Sequence, residues 1–232
     1  MSPLHPIVLL LALLVLAACS GGSLRETAQL RRSDGVPRIA LMPLDLTLSR
    51  RSAGGSQHPV ADWTLAAERN LTLALMAAAR ERGLKLVPVR RDLWFQPDLR
   101  PVHLLYRNIQ GAILAHRFGD SRDRLPAKSG RLGWSLGRSA ETLRARTAAD
   151  YALFVSLDDS YASAGRKALG IASLLLVGLP VSGGRQTGLA TLVDLQTGAV
   201  VWARHLDRST GDLRQAEDAR ETAAALLENL PQ

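Results

Sequence analysis

The 232-residue chain contains one cysteine, Cys19, which stands directly after an unbroken apolar run from Ile7 to Ala18. No disulfide can form within such a chain, so whatever folds must be held by core burial alone. The run is far shorter than the roughly 20 apolar residues a permanent bilayer helix needs. The remainder of the chain is long enough for one sizeable core, and 47% of the sequence is hydrophobic, as in an ordinary globule. The net charge is +8, carried almost wholly by arginine, since Lys85, Lys128 and Lys167 are the only lysines. Such a balance favours anionic partners. Aromatic residues make up 4% of the chain, too few for a base-stacking platform, and nucleic acid is excluded as a partner.

Leu16-Ala17-Ala18-Cys19 resembles the lipobox of a bacterial lipoprotein signal peptide. The resemblance implies cleavage before Cys19 and lipid on its sulfur and amino group, which anchors the protein in a membrane. Ser20 resembles the sorting signal for the outer membrane, with the protein facing the periplasm. The expected organisation is a signal peptide over 1–18, a lipidated flexible tether over 19–37 and one periplasmic α/β domain over 38–232. A polar tether of that length reaches roughly 23 Å.

Hydrophobic patterning gives the elements. Ile39-Ala40-Leu41-Met42 is apolar on both alternating faces, which places a first strand inside a sheet covered by helices. Asp62 opens a long helix to about Arg82, striped by Trp63, Ala67, Leu71, Ala74 and Ala78 and stopped by Gly83; Leu84 to Val89 returns as a strand. Pro101 to Phe118 reads as a second helix, with Val102, Leu105, Ile109 and Ile113 on one side, and Ser139 to Ala149 as a third. Tyr151 to Leu157 is a central strand, closed by Asp158 and Asp159. Two β-rich runs, Gly188 to Asp194 and Ala199 to Leu206, form a hairpin about a Gly198 turn. Asp212 and Gln215 form a capping-box pattern ahead of a terminal helix striped by Ala216, Ala219, Ala223, Leu226 and Leu230. The fold class is α/β, a single sandwich of a mixed sheet with a C-terminal antiparallel hairpin, flanked by three to four helices.

Two stretches are candidates for contact. Between Arg117 and Arg146 stand eight basic residues against three acidic ones. This segment is either a solvated basic loop or a surface for an anionic partner, built from Arg122, Arg124, Arg131 and Arg138 with Trp134 as packing anchor or contact residue. The apolar run from Ala168 to Val181 is either buried on the sheet or a membrane or oligomer contact. His103 and His116, thirteen residues apart on a helix, point to nearly opposite sides and make no metal site; His58 and His205 are isolated. No nucleophile elbow, phosphate loop, zinc-binding helix or dinucleotide glycine pattern occurs, so the expectation is no catalytic residue, no cofactor and no metal.

The strand Ala-Asp-Tyr-Ala-Leu-Phe-Val and the hairpin Leu-Val-Asp-Leu-Gln-Thr-Gly-Ala-Val-Val-Trp, behind a lipoprotein signal, resemble a family of proteobacterial outer-membrane lipoproteins. These are similar to the periplasmic core of curli-secretion (CsgG-like) lipoproteins and to the amino-terminal domain of TolB. The resemblance implies a small α/β sandwich used for protein association at the outer membrane, with an envelope protein partner or copies of itself. The membrane hairpins of the curli pore have no counterpart in the sequence. The rival functions are a subunit of an oligomeric export channel and, more remotely, a hydrolase of envelope polymer.

Overall fold

A computed structural model describes residues 23–25, 30, 35–52, 54, 56–128, 131–162 and 184–232. Cys19 and the run from 168 to 181 lie outside them. The described chain forms one mixed sheet between two helical layers. Its strands are β1 (Ser23–Arg25), β2 (Arg38–Leu41), β3 (Asp45–Arg51), β4 (Gln57–Pro59), β5 (Lys85–Pro88), β6 (Tyr151–Ala162), β7 (Gly184–Asp194) and β8 (Val200–Arg208). The helices are α1 (Ala61–Glu81), α2 (Arg91–Trp94), α3 (Arg100–Ile113), α4 (Ser139–Thr147) and α5 (Ala216–Leu226). The sheet order is β1-β8-β7-β6-β2-β5, with β3 continuing beyond β2 along the far half of β6 and β4 pairing with β3.

Alternation along the central strands explains the three layers. Ile39, Leu41, Leu153, Val155 and Leu157 point to one face, where they meet Leu71 and Leu75 of α1 and Ala219, Ala223 and Leu226 of α5. Ala40, Met42, Ala152 and Phe154 point to the other, against Val102, Tyr106, Ile109 and Ile113 of α3 and Ala140 and Leu143 of α4. Strands with two buried faces read as continuous apolar runs, and parallel pairing of β2 with β5 and β6 follows from the helical crossovers between them. The antiparallel hairpin pairs Gln186 to Val193 with Arg208 to Val200.

Several element ends differ from the sequence reading. The 61–81 helix ends as expected at Gly83, whose φ of +73° lets its N–H reach Arg80 O (2.9 Å) while the Leu84 N–H reaches Ala79 O (2.9 Å). The second helix passes at Leu114–Phe118 into a π-turn. Asp158 and Asp159 do not close their strand: β6 runs on to Ala162, because β7 pairs with it from Tyr151 to Tyr161 and β3 from Ser156 to Ala162. Asp212 does not cap α5, which starts at Ala216; its carboxylate instead accepts the Arg214 N–H (3.0 Å) in a local turn.

The stretch read as a free tether also takes part in the fold. Ser23–Arg25 adds β1 antiparallel to β8, with Ser23 opposite Arg204 and Arg25 opposite Trp202. Leu30 is buried and its N–H bonds the Gln232 carbonyl at 3.1 Å. The bare edge of β8 offers backbone donors and acceptors that any short segment can satisfy, whatever its side chains. That is why polar composition alone gave no sign of it.

Candidate functional site

Beyond Leu157 the sheet outruns its apolar cover, and the side chains turn polar. On the α1/α5 face, Asp159 is 2% exposed and accepts from the Tyr161 hydroxyl (2.5 Å) and from Gln186 Nε2 (2.8 Å). Gln186 Oε1 accepts in turn from Arg208 Nε (2.8 Å), and Arg208 also donates to Thr222 of α5. Tyr161 Oη accepts the Leu213 N–H (2.9 Å). Above it the Arg214 guanidinium, forked onto Asp212 (2.8 and 2.6 Å), lies 4.4 Å from the Trp63 ring centre and 4.2 Å from that of Tyr161. Trp63, Asp159, Tyr161, Gln186, Asp212 and Arg214 line a cleft of about 500 Å³. Burial pushes the Asp159 carboxyl above its ordinary range, against the pull of its two hydrogen bonds. Each group is committed to a neighbour, so the cluster ties the loop before α5 to the ends of β6 and β7.

On the α3 face a smaller cleft of about 240 Å³ is lined by Asp45, Thr47, Arg107, Gln110, Ser156, Asp158 and His205 among others. Gln110 Nε2 donates to Ser156 Oγ at 2.5 Å, and Arg107 stands 3.9 Å from Asp45. His205 stacks on Phe118 of the π-turn, ring centres 5.1 Å apart at 28°, and burial lowers its pKa. The other histidines are placed separately. His103 packs on Trp94 (5.0 Å) and Phe95 (5.5 Å), His116 Nδ1 lies 2.6 Å from the Asp123 carbonyl, and His58 is exposed. Among the described residues no three His, Cys, Asp or Glu side chains gather into a set able to hold a metal ion.

The basic segment is anchored at both ends on β8. It leaves at Phe118 beside His205 and returns where Val200 N–H bonds Trp134 O (2.9 Å), Leu136 N–H bonds Gly198 O (2.8 Å) and Ser135 pairs with Ala199. Arg122, Arg124, Arg131 and Arg138 are all exposed, Arg122 with 88% of its side chain in solvent and a loose 3.6 Å pairing to Asp120. Trp134 is not on this surface. It is buried among Leu132, Leu136 and Val200, with the Lys128 ammonium 4.4 Å over its ring, so it holds the loop to the core. Sequence reasoning missed Leu125, an apolar side chain 40% exposed next to Arg124. The Arg-Leu-Pro order could have flagged it.

No protein-family model matches the sequence, and no curated protein matches it. Among solved structures, a PelC dodecamer variant from Paraburkholderia phytofirmans is similar at 13% identity, with 92% of this chain and 99% of that one covered and a TM-score of 0.42. Lipoprotein GNA1162 from Neisseria meningitidis is similar at 12% identity, covering 75% and 81%, with a TM-score of 0.32. The LpoB C-terminal domain from Salmonella enterica is similar at 14% identity, covering 77% and 87%, with a TM-score of 0.28.

Proposed function

We propose that this chain is an outer-membrane lipoprotein facing the periplasm, whose α/β domain is a protein-binding or assembly module that performs no reaction of its own. The observation that carries the reading is the sole cysteine, set directly behind Leu16-Ala17-Ala18 at the end of a short apolar run. The domain's interior supports a scaffold role. Of the two buried acids among its described residues, Asp159 is held by Tyr161 and Gln186 and Asp194 accepts the Gln196 N–H, while the hydroxyl of Ser156 is bonded to an amide rather than to a base. On the outward side of α1, Leu65 and Leu73 are 62% and 68% exposed about two turns apart, apolar contacts of the kind protein partners cover.

Mass spectrometry of the Cys19 peptide from membranes tests the anchor directly: an unmodified thiol there ends the reading. With lipid present, Cys19→Ser shifts the protein out of the outer-membrane fraction. Light scattering of the lipidated protein in mild detergent, followed by crosslinking from positions 65 and 73, then separates its modes of association. A monomer that crosslinks to another envelope protein is a binding module, and a ring-sized mass is an assembly subunit. A monomer with no crosslinked neighbour in cells removes the module altogether.

A further inference from the structure

The strand β1 decides which side of the domain faces the membrane. Only three residues separate Cys19 from Ser23, so the Ser23 Cα lies within about 14 Å of the lipidated residue even along a fully extended chain. Ser23 is hydrogen-bonded into the sheet opposite Arg204. The lipid is therefore held against the edge formed by β1 and β8, and this conclusion rests on the lipoprotein reading above. The arginine-bearing loop lies along that same strand, fixed beside His205 at one end and beside Ala199 and Val200 at the other.

We infer that the loop from Gly119 to Pro126 docks on anionic phospholipid headgroups of the membrane that holds Cys19, with Arg122 and Arg124 on the phosphates and Leu125 entering the interface. The charge distribution fits. From Arg117 to Arg146 eight basic residues outnumber Asp120, Asp123 and Glu141, whereas α5 and the turn after it, on the other face of the sheet, carry Glu217, Asp218, Glu221 and Glu228 against Arg220 alone. Turning the loop to the membrane presents the net-positive side to an anionic surface and keeps the acidic helix away from it. An exposed leucine beside two guanidinium groups is the chemistry of an interfacial contact, where the apolar side chain enters the headgroup layer and the cations stay at phosphate depth. A site for an acidic protein needs the same charges but gives no reason for the lipid to be tethered at the same edge.

The single cysteine provides the assay. Once Cys19 is acylated, Leu125→Cys supplies a unique thiol for an environment-sensitive fluorophore, and Leu73→Cys on α1 supplies one on the opposite side of the sheet. The wild-type chain serves as control, because it takes label only if Cys19 is unmodified, which reports failure of the lipoprotein reading separately. The lipidated, labelled proteins are reconstituted into vesicles of equal parts phosphatidylglycerol and phosphatidylcholine that carry a headgroup-level quencher. The expected result is quenching at 125 and none at 73. Arg122→Gln with Arg124→Gln should lower the docked-to-undocked ratio about 25-fold, at about fivefold per arginine. Salt at about 1 M, where the Debye length falls to about 3 Å, should do the same. Equal quenching at 125 in vesicles of phosphatidylcholine alone overturns the inference, because the tether then suffices. So does a probe at 125 that stays in water on both vesicles, or one shielded only in intact cells, which marks a protein partner instead.

Discussion

The Tyr161 hydroxyl donates to the buried carboxylate of Asp159 at 2.5 Å and accepts the Leu213 N–H at 2.9 Å, so one oxygen joins a central strand to the loop before the last helix. Tyr161→Phe removes both bonds while leaving the ring over Arg214. The expected cost is about 2 to 3 kcal/mol, because a buried acid and a backbone amide lose their partner together. Urea unfolding measures it, and a loss below about 0.5 kcal/mol means the cluster does not clamp the loop.

Asp159 also gives the fold a pH dependence of definite sign. Its pKa is raised in the folded protein by burial, so the stability it contributes is fully present below the ordinary carboxylate value near 3.9 and is lost as pH rises through the folded value. Wild type should therefore lose stability relative to Asp159→Asn as pH rises from acid toward neutral. Paired denaturation curves across that range check it, and parallel curves contradict it.

His205 works in the opposite sense. Burial first, then Arg185 and Arg204, lower its pKa, while Asp207 pulls it upward. A lowered histidine contributes stability above about pH 6.5 that is lost as pH falls through its folded value. His205→Phe keeps a ring against Phe118 and removes the titration. Near-ultraviolet melting temperatures below about pH 6.5 should fall for wild type relative to the variant.

Two glycines with the same backbone sign should respond differently. Gly83 has φ +73° and open space where a methyl group would sit, so Gly83→Ala costs about 1 kcal/mol of conformational strain. Gly198 has φ +74° and would place that methyl 2.6 Å from Gly137 O, backbone against backbone. Gly198→Ala should cost about 3 kcal/mol or more and loosen the Leu136–Gly198 bond that holds the basic loop. Thermal melts of the two variants rank them.

Trp134→Ala distinguishes packing from contact. With the ring 9% exposed in the core, truncation should cost about 3 to 5 kcal/mol. A melting temperature unchanged by the substitution would restore the tryptophan to the surface.

The sheet and its helical cover were legible because Ile39 to Met42 and Tyr151 to Leu157 have no polar face, and a strand buried on both sides leaves that mark. The stop at Gly83 was legible because one backbone conformation demands one residue type. The continuation of β6 through Asp158 and Asp159 was hidden, since two adjacent acids look like a strand end until Gln186 and Tyr161 are brought to one of them by pairing. Trp134 was ambiguous for a related reason: arginines surround it in sequence, but leucines two residues to either side surround it in space. The short strand β1 carries no side-chain pattern, because its hydrogen bonds come from the edge it meets.

That strand also sets how the molecule responds to force. On the proposed lipoprotein reading, a pull through Cys19 would reach the three-residue ladder of β1 and then the Leu30–Gln232 bond before β2, which sits between β5 and β6 deep in the sheet. On that reading the domain would stay close to its membrane as long as this short strand held, and the core would outlast the strand's release.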